Sequence, residues 1–198
     1  MNYINTYIIK KFDISNYKIE VPQFYSSPKD ETKLAYLLLK YLYFQMYNKI
    51  LDFNFLCKDN NKKPIFCDNS LYFNISHCKE YIACSLGNIN MGIDIEQERI
   101  IKDITLNKIK NIKDTNISPI QIWNIKEAYS KYLGIGLKLD FSKISINKIK
   151  KDTNLITNVY YINNKNMYFS LCYDKVEKIF DCIKFIDKHI LIDFYKNL

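Results

Sequence analysis

The chain has four glycines in 198 residues, and all of them (Gly87, Gly92, Gly134 and Gly136) fall inside one 50-residue window. A polypeptide this poor in glycine has few positions where its backbone can turn left-handed or meet another backbone with no side chain between. Such places are therefore marked in the sequence, and here they cluster. Gly134 and Gly136 follow an apolar-periodic segment, Ile120–Leu133, and read as a helix stop. Gly92 opens the strand-like run Gly92-Ile93-Asp94-Ile95-Glu96, and glycine weakens a strand unless something must approach it closely.

Hydrophobic spacing supplies the other elements. Tyr3–Lys10 reads as a strand. Ser27-Pro28-Lys29-Asp30 reads as a helix start with a serine cap. Leu34, Leu37, Leu38, Tyr41, Leu42 and Met46 then follow at helical spacing to about residue 50. Lys58–Pro64 is a polar turn. Leu71–Ile75, Tyr81–Leu86 and Met91–Glu96 read as strands, 98–118 as a short helix with loops, and Ile120–Leu133 as a second strong helix. Lys143–Lys150, Ile156–Ile162, Met167–Tyr173 and Lys178–Ile186 read as an antiparallel meander. The order helix-then-strands thus occurs twice. Tyr72-Phe73-Asn74-Ile75-Ser76 also echoes Tyr168-Phe169-Ser170-Leu171-Cys172, as a duplication would produce.

Composition excludes some classes. With 48% hydrophobic and 25% charged residues the chain is globular rather than disordered. No apolar run approaches the roughly 20 residues of a membrane helix, and Met1–Asp13 has no leader pattern, so a cytoplasmic protein without membrane attachment is expected. The six cysteines (57, 67, 78, 84, 172 and 182) form no C-x-x-C pair, and His77 and His189 are not spaced with them as zinc ligands. Free, largely buried thiols are expected. The net charge of +8 would attract nucleic acid, phosphorylated metabolites or acidic proteins. Lysine abounds throughout, however, alongside isoleucine and asparagine, so the charge alone identifies no partner.

Two acidic motifs carry the chemistry. On a strand, Asp94 and Glu96 point to one face, which cannot then be core. Neighbouring carboxylates repel, and a cation between them relieves this. Hard oxygen donors suit Mg²⁺, usually shared with waters and substrate phosphates. Read singly, the strand is an exposed face bearing two solvated acids. On the helix, at 100° per residue, Trp123, Glu127, Ser130, Lys131 and Gly134 share one face, while Ile122, Ile125, Tyr129 and Tyr132 form the core face. Glu127 and Lys131 are four apart and read singly as a surface ion pair. The chain's one tryptophan and the Gly-x-Gly that follows argue for more: a carboxylate ligand and a lysine facing phosphate oxygens.

These segments resemble a known family. Gly92-Ile93-Asp94-Ile95-Glu96, then Trp123-Asn124-Ile125-Lys126-Glu127-Ala128-Tyr129-Ser130-Lys131, then Gly134-Ile135-Gly136-Leu137, look like the paired signatures of the 4′-phosphopantetheinyl transferases. Phe73-Asn74-Ile75-Ser76-His77 resembles the upstream signature of the surfactin-type branch, and Lys63-Pro64 its Gly-Lys-Pro turn, here without the glycine. The resemblance spans residues 63–137 and weakens toward Lys33.

It implies an α+β fold of two pseudo-symmetric halves in one chain, residues 1–97 and 98–198, each a helix on a small antiparallel sheet, with coenzyme A in the cleft between them. A monomer follows, since the other main branch reaches two halves only by assembling chains. Asp94, Glu96 and Glu127 would hold Mg²⁺, or Mn²⁺ in its place, against the pyrophosphate. Lys131 would lie beside that pyrophosphate, and Lys126 would be a further phosphate contact. Ser76 and His77 would meet the nucleotide's phosphates, and Lys33 and Lys63 the 3′-phosphate end. The reaction implied transfers 4′-phosphopantetheine to a serine of an apo acyl, peptidyl or aryl carrier protein and releases 3′,5′-ADP, with Glu127 and Lys131 catalytic. The short segment between Glu96 and Trp123 leaves the choice of carrier open.

Two other readings compete. A basic nucleic-acid-binding module would interleave lysines with stacking tyrosines on one face, whereas the best-marked site here is acidic. A relative that binds coenzyme A or a carrier without catalysis would not need all three carboxylates.

Overall fold

The computed structural model spans residues 1–198 and describes every side chain except that of residue 137. Leu137, the last position of the Gly-x-Gly-Leu motif, therefore lies outside the described side chains. In chain order the elements are β1 (Asn2–Lys10), α1 (Asp30–Tyr47), β2 (Leu56–Lys58), β3 (Pro64–Phe66), β4 (Tyr72–His77), β5 (Tyr81–Gly87), β6 (Met91–Gln97), α2 (Asp103–Ile109), α3 (Pro119–Leu133), α4 (Ile146–Asp152), β7 (Asn154–Ile162), β8 (Lys165–Tyr173), β9 (Ile179–Ile186) and α5 (Lys188–Lys196). The class is α+β, as expected. No helix among the described residues is long and apolar enough to cross a membrane.

The chain packs as two compact units, Met1–Ile89 with Lys178–Leu198, and Asn90–Glu177. Residues 90–97, read from sequence with the first half, pack in the second unit. Residues 178–198, read with the second half, pack in the first.

The first unit holds a sheet in the order β4-β5-β1-β9. β1 runs antiparallel to β5, with Ile4 opposite Gly87, and parallel to β9, with Asn2 opposite Ile179. The expected four-strand meander is thus broken at its end: β9 leaves its chain neighbours to pair with β1. Leu34, Leu38 and Leu42 of α1, one helical stripe, bury against Ile9, Ile82 and Cys84 of the sheet. Helix α1 begins later than its serine suggested. Lys29 occupies the cap position with no side-chain cap bond, while Asp30 and Glu31 complement the dipole in the first turn. Asn48, left-handed at φ 51°, ends it. The polar turn joins the short hairpin β2–β3, with Lys58 opposite Pro64.

The second unit is the sheet β6-β8-β7 with α2, α3 and α4. Helix α3 is bounded by local chemistry. Ser118 and Gln121 cap each other's backbone amides, Pro119 fills the first turn, and Gly134 closes the helix at φ 71°. Its Ile122, Ile125 and Tyr129 meet Ile146 and Ile149 of α4 and Cys172 of β8. The expected strand Lys143–Lys150 is instead a short lead-in followed by most of α4, capped by the Ser145 hydroxyl. Ile146 and Ile149 are three apart and both buried, which is a helical spacing. The echo between Tyr72–Ser76 and Tyr168–Cys172 is not a shared sheet position either: β4 is an edge strand and β8 a central one.

Candidate functional site

Gly92 decides how the second unit's site is built. A Cβ placed there would fall on the backbone of α3, at Tyr132 N and Ala128 O. The helix therefore lies directly on β6, and the face that carries Gly92, Asp94 and Glu96 is covered, not open as the sequence suggested. Asp94 is only 4% exposed.

Each carboxylate on that face has named partners. Lys131 Nζ stands 2.7 Å from Asp94 Oδ1, so the lysine reaches across to the strand instead of pairing along the helix with Glu127. Asn124 Nδ2 donates to Asp94 Oδ2 at 3.0 Å. Trp123 Nε1 donates to Glu96 Oε1 at 2.8 Å. Arg99 donates to both oxygens of Glu96 at 3.3 Å, and its guanidinium lies 5.8 Å from the Trp123 ring centroid. Glu127 is the exception: its Oε1 is buried without a hydrogen-bond partner. Burial, then the neighbouring charge of Asp94, push the Glu127 carboxyl up to about 7; Lys131 opposes this and Glu96 adds to it.

No group of three or more His, Cys, Asp or Glu among the described residues is gathered closely enough to hold a metal ion as it stands. The donor set nevertheless fits a hard divalent cation. Three carboxylates sense one another's charge, and one has an orphaned buried oxygen that a cation would satisfy.

Lys126 is not a phosphate contact. It is fully buried, with Nζ 2.6 Å from Asp114 Oδ2 and donating to Ile109 O at 2.7 Å and Phe141 O at 2.9 Å. Its three protons thus have three acceptors inside the protein. Asp114 in turn accepts from the amides of Ile146 and Asn111, so the pair ties α3 to the start of α4 and to the loop after α2. The spacing carried this signal: Lys126 lies four residues after Ile122 and three before Tyr129, on the core face.

In the first unit, Lys63 and His77 line a pocket of about 220 Å³ with Glu31, Thr32, Tyr36 and Asn74. Burial pulls the Lys63 ammonium below its usual range, which Asp59 partly opposes. His77 Nε2 lies 3.3 Å from Glu31 Oε1. Ser76, the neighbour of His77 on β4, is buried. Lys33 does not line this pocket; it pairs with Asp30 at 2.9 Å along α1.

Residues 90–178 match the 4′-phosphopantetheinyl transferase superfamily, over the segment that carries Asp94, Glu96, Glu127 and Lys131. This segment belongs to that superfamily. The chain is also 32% identical, over 146 residues, to 4′-phosphopantetheinyl transferase gsp of Aneurinibacillus migulanus; the match takes in 67% of this chain and 58% of that protein. It is 28% identical over 126 residues to 4′-phosphopantetheinyl transferase pptA of Paxillus involutus, covering 46% of this chain and 48% of that protein. The chain spans about half the length of these curated relatives.

Beside the phosphopantetheinyl transferase signatures, three further residues of the site emerge only in the structure. Arg99, the chain's only arginine, was marked by its rarity among 29 basic residues. Asn124 was marked more faintly, as a poor helix former in mid-helix. Ser170 carried no signal, because only the strand register sets it opposite Asp94.

Proposed function

We propose that the protein transfers the 4′-phosphopantetheine arm of coenzyme A to a serine of an apo carrier protein, releasing 3′,5′-ADP. The observation that carries this reading is the buried, partnerless Glu127 Oε1 beside Asp94 and Glu96, inside the segment that matches the superfamily. A divalent cation there, Mg²⁺ or Mn²⁺, would supply positive charge to the pyrophosphate as the phosphorus–oxygen bond breaks.

The side chains account for the remaining chemistry. The carrier serine attacks the β-phosphorus of coenzyme A, its oxygen forms the new ester bond, and the bridging oxygen leaves on 3′,5′-ADP. Glu127 takes the serine proton, the role its carboxylate can fill beside the reacting groups. Lys131, held over the site by Asp94, neutralises the leaving phosphate. Asp94 and Glu96 would hold the cation together with Glu127. Lys63, Ser76 and His77 are assigned to the nucleotide's phosphates, and the dependence of Lys33 on Asp30 leaves it a lesser part. The excess of positive charge suits an acidic carrier surface.

The test is direct. Purified protein is incubated with coenzyme A, Mg²⁺ and a panel of apo carrier proteins, and intact masses are read. A phosphopantetheine adduct on at least one carrier, lost in Asp94→Ala and Glu127→Ala, is the expected result. No adduct on any carrier that a known transferase modifies under the same conditions would refute the proposal.

A further inference from the structure

Asp94 faces a buried polar bridge made by Asn124 and Ser170, two residues to which the resemblance assigns no role. In the pairing of β6 with β8, Ser170 stands directly opposite Asp94, so both side chains rise from the same face of the sheet. Asn124 descends from α3 onto the pair. Its Nδ2 donates to Asp94 Oδ2 at 3.0 Å, and its Oδ1 accepts from Ser170 Oγ at 2.5 Å. All three residues are at most 4% exposed.

A primary amide has one acceptor end and one donor end. The ionised Asp94 carboxylate and the Tyr168 carbonyl, which only accept, take the donor end, Nδ2 lying 3.0 Å from Asp94 Oδ2 and 3.5 Å from Tyr168 O. Reversing the amide would set Asn124 Oδ1 against an ionised oxygen. The Ser170 hydroxyl, able to donate or accept, here donates to the acceptor end and pins it in place, and the amide so held fixes the plane of the carboxylate. Lys131 holds the other oxygen at 2.7 Å. A carboxylate restrained through both oxygens presents its remaining lone pairs in one direction, which is what a cation demanding near-ideal geometry requires of a ligand.

We infer that Asn124, locked by Ser170, is a positioning residue that aims the Asp94 carboxylate for cation binding. This rests on the cation site of the proposed function. It adds a requirement beyond the three acids: an oriented amide in mid-helix and a hydroxyl on the neighbouring strand.

The experiment is a titration of the purified protein with Mn²⁺ and Mg²⁺, followed by the fluorescence of Trp123, whose indole is bonded to Glu96. Wild type is compared with Asp94→Ala, Asn124→Ala, Ser170→Ala and Ser170→Thr, and melting temperature is read in parallel. The expected result is saturable binding in wild type, loss in Asp94→Ala, affinity weakened about tenfold in Asn124→Ala and several-fold in Ser170→Ala, and recovery in Ser170→Thr, which restores the hydroxyl. A purely structural role would lower the melting temperatures of Asn124→Ala and Ser170→Ala while their cation affinities stayed at the wild-type value, and that result would overturn the inference alone. Should Asn124→Ala not fold, the Ser170 pair decides by the same criterion. Wild-type protein that binds no cation, or Asp94→Ala that binds as wild type does, would overturn the cation site and this inference with it.

Discussion

Trp123 donates its indole N–H to Glu96 Oε1 at 2.8 Å, and Arg99 donates to both oxygens of the same carboxylate. The only tryptophan and the only arginine of the chain thus meet on one acid. A cation bound at Glu96 must compete with the Arg99 guanidinium. Arg99→Ala is therefore expected to bind Mn²⁺ several-fold more tightly than wild type when no coenzyme A is present. Glu96→Gln is expected to lose most of the Trp123 fluorescence response. Equal affinity in Arg99→Ala and wild type would mean that the arginine does not compete for the site.

Glu127 gives the protein a pH signature. Burial and the charge of Asp94 push its folded carboxyl up to about 7, from an ordinary glutamate value of 4.5. The folded state therefore holds a proton that the unfolded chain has already lost between these values, and stability falls as pH rises through that window. The contribution is fully present below about 4.5 and lost by about 7. Glu127→Gln should be more stable than wild type above pH 7, by about 1–2 kcal/mol after allowance for partial exposure, and the gap should close toward pH 4.5. A saturating divalent cation should raise the wild-type melting temperature more at pH 8 than at pH 6. Thermal melts across this range check both.

Removing Lys126 tests its reassignment from phosphate contact to structural tie. Breaking a buried ion pair by deleting one partner costs about 3–5 kcal/mol. Lys126→Ala should lose stability on that scale in urea unfolding. Cation affinity in the fraction that remains folded should be unchanged. Asp114→Ala should behave alike, because it leaves the same ammonium buried without its counter-charge.

Gly92→Ala should be severely destabilising, since the added methyl meets helix backbone that cannot rotate away. The expected cost is about 3 kcal/mol, the upper part of the range for overpacking. Gly136→Ala meets no atom and should cost only its left-handed backbone, about 1 kcal/mol. Denaturation midpoints of the two variants check the contrast.

The first unit's pocket separates two lysines, Lys63 and Lys33, that the resemblance places together at the 3′-phosphate end. Lys63 lines the pocket, while Lys33 is engaged by Asp30 on the helix surface. Lys63→Ala should weaken binding of 3′,5′-ADP about tenfold, and Lys33→Ala less than twofold, by isothermal titration calorimetry. A larger effect at Lys33 would reverse the assignment.

What the sequence determined by itself was local. Ser118, Pro119 and Gly134 bound α3 through hydrogen bonds and backbone angles that involve only neighbours in the chain. Alternation placed Asp94 and Glu96 on one face of β6, and helical spacing placed Glu127 and Lys131 on one face of α3, because both periods are fixed by backbone geometry. The scarcity of glycine foretold a close approach at Gly92 without saying what approached. The tertiary structure supplied the helix, and with it the burial of a face expected to be open. It also decided that Lys131 pairs with Asp94 instead of Glu127, that Lys126 turns inward to Asp114, and that β9 joins β1 rather than a meander. Each of these is a choice between partners far apart in the chain. Strand register and helix placement make such choices, and a local pattern cannot express them.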